Sequence, residues 1–190
     1  MIIGISGKLY SGKDTLAGIL VREFLDLDVS FKVKSFAYKL KKTGAYLTNT
    51  PEEWWFTQEG KQMLLTEWGM TIGEFQQKLG TEAMRDNIHK EGWILALMSE
   101  YGPKEDWIVT DVRFPNEAEA IRKTGGILIR IEGDPTGKRK TSKRDLNHPS
   151  ETALDSYGKF DYIIHNILPF STLELQAKNI AAHLRQTSKI

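Results

Sequence analysis

The sequence predicts an α/β fold in which a five-stranded parallel sheet carries helices on both faces. Five short apolar, β-branched-rich runs supply the strands: "IIGIS" (2–6), "FKVKSFA" (31–37), "WIVTDV" (107–112), "GILIRIEG" (126–133) and "DYIIHN" (161–166). Segments with 3–4 apolar spacing lie between them, and strand-helix alternation is the pattern of a parallel sheet covered on both sides. One gap, 38–106, is too long for a single crossover and contains no good strand, so it reads as several helices inserted into the sheet domain.

Taken in order, the first strand runs into a glycine- and lysine-bearing loop, and Leu16, Ile19, Leu20 and Phe24 then mark a helix. After the second strand, "TPEEWW" predicts a helix start, with Thr50 as N-cap, Pro51 at the first position and Glu53 completing a capping box. "TIGE" (71–74) repeats that pattern. The stretch 44–100 is expected to be a helical insertion leaning over the carboxyl edge of the sheet, where α/β proteins bind ligands. The third strand leads to a helix through Ala118, Ile121 and Arg122, stopped by Gly125-Gly126. A basic loop over 133–150 follows the fourth strand, and a helix over Leu173–Leu184 closes the chain. Internal repeats and low-complexity tracts are absent.

The 190 residues suit one domain with a sizeable core, and 40% hydrophobic with 27% charged content is ordinary for a globular chain. A net charge of +1 supplies no bulk field toward nucleic acid or membrane, so any electrostatic partner is met by a local patch. With no cysteine, disulfides, thiolate metal sites and a cysteine nucleophile are excluded. No apolar run approaches the ~20 residues of a membrane helix, and "MIIGIS" lacks the basic flank and cleavage site of a signal peptide. A soluble, cytoplasmic protein is expected.

The most informative stretch is "GKLYSGKDT" (7–15). Gly7, Gly12 and Lys13 have the spacing of a phosphate-binding loop, for which roughly 0.06 chance matches are expected per chain of this length. A strand precedes the loop and an amphipathic helix follows. Inward-facing N–H groups and the helix amino end attract phosphate, and Lys13 reaches the β/γ-phosphates. The alternative is a glycine-rich turn with a surface lysine. Asp14 stands where a magnesium-ligating hydroxyl is usual, and Thr15 brings that hydroxyl one residue late. Asp14 has three open readings: favouring the helix dipole, holding Mg²⁺, or facing the acceptor. The one-residue offset resembles the loop of adenylate-kinase-type nucleotide kinases.

Elsewhere, "WIVTDVRFPNE" (107–117) puts Asp111 near the end of an apolar strand, suited to holding a magnesium's water shell across from the loop. Arg113 would lie above the same edge, suited to bidentate phosphate contact, or would pair with Glu117. The run "TGKRKTSKR" (136–144) concentrates Lys138, Arg139, Lys140, Lys143 and Arg144. It reads either as a solvated face or nucleic-acid contact, or as a lid whose cations close over a triphosphate. Arg85 of "LGTEAMRDNIH" would by itself be a helix-surface arginine paired with Glu82 or Asp86. Trp54, Trp55, Trp68 and Trp93 read as core of the insertion rather than base-stacking platforms, and His148 as a structural or hinge residue.

With these residues in hand, the chain resembles the phage-type deoxynucleoside monophosphate kinases. The resemblance rests on "GKLYSGKDT", "SFAYKLKK", "LGTEAMRD", "VTDVRFPNEAEAIRKTGG" and "HPSE" followed by "DYIIHN", in order and across nearly the whole chain. It implies a P-loop kinase fold with a helical acceptor-binding insertion and a mobile lid. It also implies transfer of the ATP γ-phosphate, with Mg²⁺, to a deoxynucleoside monophosphate. Carried over by position, it puts donor phosphates on Gly7, Ser11, Gly12, Lys13, Asp14 and Thr15, with lid cations such as Arg139 and Arg144. Metal would fall to Asp14, Thr15 and Asp111, and the acceptor to Phe36, Lys41, Arg85 and Arg113, with Lys13, Asp14, Asp111 and Arg113 nearest the chemistry. Where the family often has Asp-Pro this chain has Tyr38-Lys39, so base selectivity is not inherited. Neither nucleic acid nor membrane is an expected partner, and a homodimer is compatible with the reading. If the chain is phage-encoded, the compartment is the host cytoplasm. Two rivals stand beside this one: a phosphomevalonate-type or other small-molecule kinase, and a nucleic-acid-dependent P-loop ATPase using the basic loop.

Overall fold

The computed structural model describes residues 1–102, 104–141, 146–167 and 169–187. In chain order the elements are β1 (Ile2–Ser6), α1 (Lys13–Leu25), β2 (Lys32–Lys34), α2 (Ala37–Thr48), β3 (Leu64–Leu65), β4 (Met70–Thr71), α3 (Ile72–Gln77), α4 (Gly92–Met98), β5 (Trp107–Val112), α5 (Pro115–Lys123), β6 (Ile127–Glu132), α6 (Pro149–Thr152), β7 (Tyr162–His165) and α7 (Phe170–Gln186). The chain divides into two compact units, Met1–Ser35 with Gly102–Ile190, and Phe36–Tyr101.

The first unit holds the sheet, ordered β2-β5-β1-β6-β7 with every neighbouring pair parallel. The five expected strands are thus the five found: β1 and β5 keep the expected bounds, and the other three are trimmed at their ends. The second is trimmed most. Phe31 leaves the strand to bury itself and stack on Phe24 at 4.4 Å, and Ser35 turns its hydroxyl to Asp111. That leaves β2 a three-residue edge with Lys32 and Lys34 flanking exposed Val33, which discourages pairing by another strand.

Alternation along the strands sorts side chains to the two faces. Ile3 and Ile5 of β1, Ile127, Ile129 and Ile131 of β6, and Ile164 of β7 join Leu16, Leu20 and Phe24 of α1 and Leu173, Ala177, Ile180 and Leu184 of α7 in one buried cluster. The opposite face takes α5 through Ala118 and Ile121, both fully buried. Because all five strands run the same way, the turns after Ser6, Lys34, Val112, Glu132 and His165 leave the same carboxyl edge. The phosphate loop, Ser35, Arg113, Gly133 and Asn166 therefore come to one rim.

The second unit is built around Trp55, fully buried among Ala45, Leu65, Ile72 and Phe75, with Phe75 edge-on to it at 5.6 Å. Thr71 caps α3 with a full capping box to Glu74, as the sequence predicts. The Thr50 cap differs. Its hydroxyl accepts from Trp55 Nε1 at 2.9 Å, so it serves the core tryptophan, and the following segment is only a 3-10 turn over Glu52–Phe56. A two-stranded antiparallel hairpin, β3–β4, sits where helices alone were expected. These strands are two residues each, too short to leave an alternating pattern. After α3 the chain widens into a π-helix over Lys78–Ile88, whose Gly80 carbonyl accepts from buried Trp93 Nε1. Trp55 and Trp93 are core as expected, whereas Trp68 is 43% exposed and keeps only an edge contact with Phe75. Among the described residues no helix is long and apolar enough to cross a membrane.

Candidate active site

The phosphate loop takes its shape from glycine and from one strained residue. Gly12 caps α1 at φ 94°, a left-handed conformation, and a Cβ there would lie 2.5 Å from Asn166 Nδ2. Tyr10 also lies in the left-handed region, at φ 60°, where a bulky side chain is uncommon. The loop folds back on itself through the Ser11 N–H, which donates to the Lys8 carbonyl at 3.2 Å. A Cβ on Gly7 would meet Ser11 Oγ at 2.5 Å, so the floor of the loop admits no side chain. Ser11 Oγ is buried and has no hydrogen-bond partner among the described residues. An orphaned hydroxyl inside a cradle of backbone fits the oxygen of an anionic group.

Lys13, at the start of α1, donates to the carbonyls of Gly7 (2.8 Å) and Lys8 (2.9 Å), so its ammonium lies over the loop. Its pKa falls from 10.5 to about 8, first because burial strips water from the ammonium and second because Arg113 is a neighbouring cation. Glu151, Asp14 and Asp111 act in the opposite direction. These influences place the other four charged groups within electrostatic reach of Lys13. Asp14 and Thr15 are exposed in the first turn of α1, and Asp111 accepts from Ser35 Oγ at 2.7 Å.

Arg113 follows β5 directly. The alternative pairing with Glu117 takes a different form, because the Glu117 carboxylate accepts the main-chain N–H of Arg113 (2.7 Å) and of Phe114 (3.0 Å) at the start of α5. The guanidinium instead goes to Glu151 Oε1 at 2.5 Å and the Ser150 carbonyl at 2.9 Å. His148 caps the short α6 by accepting the Ser150 N–H at its Nδ1, a structural role.

The basic segment reaches the loop through Arg139, whose Nε donates to the Leu9 carbonyl at 2.8 Å and whose Nη2 donates to the Gly133 carbonyl. Lys143 and Arg144 lie outside the described residues. The structure thus brings Gly7, Ser11, Gly12, Lys13, Asp14, Thr15, Asp111, Arg113 and Arg139 to one rim. Phe36, Lys41 and Arg85 belong to the second unit. There Phe36 is buried at the start of α2, Lys41 Nζ lies 4.7 Å from the Phe56 ring centre, and Arg85 Nη1 donates to the Lys90 carbonyl.

Four residues of the rim had no role assigned from sequence. Asn166 Nδ2 donates to the Ser11 carbonyl at 3.0 Å. Glu151 accepts from Arg113 and from the Leu9 N–H. Asp155 takes Lys8 Nζ at 2.7 Å on one oxygen and Arg130 Nη2 at 3.0 Å on the other, while Arg130 also donates to Ser6 Oγ. One signal was legible: an arginine inside the apolar run "ILIRIE" must be paired once that strand is buried.

A family model described as "Deoxynucleotide monophosphate kinase" matches residues 37–176. A protein of Acanthamoeba polyphaga mimivirus named "Putative deoxynucleotide monophosphate kinase" is 32% identical over 182 residues, spanning 87% of this chain and 88% of the viral one. The "Deoxynucleoside-5'-monophosphate kinase" of Escherichia phage T5 is 33% identical over 100 residues, which is 48% of this chain and 36% of the phage protein. Among solved structures, shikimate kinase from Bacteroides thetaiotaomicron superposes with a TM-score of 0.53 at 16% identity over 97% of this chain and 98% of that one, a likeness of fold.

Proposed function

The chain belongs to the deoxynucleotide monophosphate kinase family, and from that premise we propose that it transfers the γ-phosphate of ATP, with Mg²⁺, to a deoxynucleoside monophosphate. The observation that carries this reading is the meeting of Lys13, Asp111 and Arg113 at one rim, around a loop with an orphaned buried hydroxyl. Both relatives are named as kinases of such nucleotides, and residues 37–176, the family match, include Asp111 and Arg113.

In this reading the donor phosphates lie against Gly7, Ser11, Gly12, Lys13 and Thr15, with Arg139 beside the loop. Arg113 is the proposed contact for the acceptor's phosphate, and Phe36, Lys41 and Arg85 of the second unit are proposed, from the family resemblance, as acceptor-binding residues. An oxygen of the acceptor's phosphate attacks the γ-phosphorus in line, a new P–O bond forms, and the bond to the β–γ bridging oxygen breaks, releasing ADP. The attacking oxygen is already anionic, so no general base is required. The chain's contribution is alignment and charge: Lys13 and Arg113 meet the negative charge of the transferring group.

Mg²⁺, when bound, would supply positive charge to offset that of the triphosphate. Asp14, Thr15 and Asp111 are the hard oxygen donors this chain offers it. Among the described residues no cluster of three or more acids or histidines could hold a metal alone. That suits an ion which keeps waters and substrate phosphates as most of its ligands.

A coupled assay of ADP formation across the common deoxynucleoside monophosphates, with phosphomevalonate and shikimate as comparison acceptors, tests the reading. Turnover of at least one monophosphate with Mg²⁺-ATP is expected. Turnover confined to the other acceptors would overturn the substrate class.

A further inference from the structure

No step described above uses Glu151, yet its carboxylate is among the most enclosed charges at the rim, with a side chain 1% exposed. A charge withdrawn that far from water persists only when paired. Its partners come from two different parts of the site. Oε1 accepts Arg113 Nη1 at 2.5 Å, and Oε2 accepts the main-chain N–H of Leu9, inside the phosphate loop, at 3.0 Å.

The manner of the Arg113 contact matters. Both bonds that α6 makes to this guanidinium, from Glu151 and from the Ser150 carbonyl, fall on Nη1. Among the described residues, Nε and Nη2 of Arg113 have no hydrogen-bond partner. Those two nitrogens form the side edge of a guanidinium, which grips a phosphate with two parallel bonds. Glu151 therefore occupies the nitrogen that a side-on phosphate does not need. One carboxylate also ties Arg113 to the loop expected to hold the donor.

We propose that Glu151 is a positioning residue for phosphoryl transfer, holding the Nε–Nη2 edge of Arg113 in register with the phosphate loop through Leu9. The inference rests on the role given to Arg113 above. It makes α6, which follows the basic segment, part of the machinery that sets the reacting geometry rather than a passive connection. Small losses of alignment lower turnover more than ground-state binding.

The test is a double-mutant cycle on the full chain, with Mg²⁺-ATP and whichever deoxynucleoside monophosphate the wild type turns over fastest. Wild type, Glu151→Gln, Arg113→Ala and the double variant are compared, each checked for folding by thermal unfolding. Glu151→Gln is expected to lower kcat by about 10- to 100-fold while KM for ATP moves less than about threefold. In the Arg113→Ala background it should lower kcat by less than about twofold, since its effect passes through a side chain already gone. Glu151→Asp, which keeps the charge but shortens the reach, should fall between wild type and Glu151→Gln. If Glu151→Gln does not fold, Glu151→Asp enters the same cycle under the same criterion. An equal loss in both backgrounds overturns the proposal and leaves the kinase reading intact. Full activity of Arg113→Ala overturns both the proposal and the role of Arg113. A wild type inactive on every monophosphate overturns the functional reading itself, and the proposal with it.

Discussion

The side-chain amide of Asn166 donates to the main-chain carbonyl of Ser11 across 3.0 Å, joining the end of β7 to the middle of the phosphate loop. Both residues are buried, so this carbonyl has no ready access to water. Asn166→Ala should therefore cost about 1–3 kcal/mol of stability, the penalty for a stranded buried acceptor. Asn166→Asp should bind ATP more weakly still, because it sets a carboxylate against a carbonyl beside the expected phosphates. Thermal unfolding and ATP titration of the two variants separate these effects, and equal ATP affinity in both would contradict the electrostatic part.

Lys13 makes the site pH-dependent in two opposite senses. Its folded pKa of about 8 lies below the unfolded 10.5, so the folded state binds fewer protons between those values. Stability should rise with pH across that window, and below pH 8 the full cost of burying the cation is present. Lys13→Met should accordingly stabilise the ligand-free protein at pH 7 by on the order of 2–3 kcal/mol, an advantage that disappears toward pH 10.5. Activity runs the other way. For the wild type, kcat/KM for ATP should fall above about pH 8 as the ammonium is lost from the free enzyme, and Lys13→Met should abolish turnover. Denaturant melts and rate profiles over pH 6–10 check both.

Tyr10 holds the left-handed turn of the loop at φ 60°. A non-glycine residue there costs about 1–2 kcal/mol. Tyr10→Gly should relieve most of it, offset by about 0.5–1 kcal/mol of added chain entropy. Tyr10→Val, β-branched, should be clearly less stable than the wild type. The order glycine at or above tyrosine, and tyrosine above valine, is the expected ranking in thermal unfolding.

Gly44 in α2 lies against the ring of Trp55, where a Cβ would come within 2.1 Å. Gly44→Ala would gain about 1 kcal/mol of helix propensity. The ring it meets is fully buried and cannot retreat, so a net loss of about 1–3 kcal/mol is expected. Near-ultraviolet circular dichroism of Trp55, read beside thermal unfolding, shows whether the packing of this unit is what gives way.

The sheet was legible because its signals are local. Apolar runs of five to eight residues, a glycine-lysine loop after the first and helical spacing between them need no knowledge of distant partners. What escaped was set by contacts across the chain. Trp55 took the Thr50 hydroxyl that would otherwise cap a helix, and that competition appears only once the two are packed together. Glu151, Asp155 and Asn166 lie far along the chain from the loop residues they hold, with no spacing rule linking them. Asp111 and Arg113 were found because a strand end and a motif coincide there. An ion pair with Glu117 was the alternative reading of Arg113, but the start of α5 claimed that carboxylate for main-chain N–H groups.

The central position of β1 carries a consequence for how the chain is made. Ile2 pairs with Trp107 and Ile3 with Ile127, so β1 finds neither neighbour until just over half of the 190 residues have been made. The apolar "IIGIS" and its loop must stay unpaired through that interval. Phe36–Tyr101, whose contacts are short in sequence, has all its own partners at hand much sooner. Assembly of the sheet should therefore limit the folding rate, because closing such long loops is slow. The phosphate loop, first in the sequence, is among the last parts to take its final form.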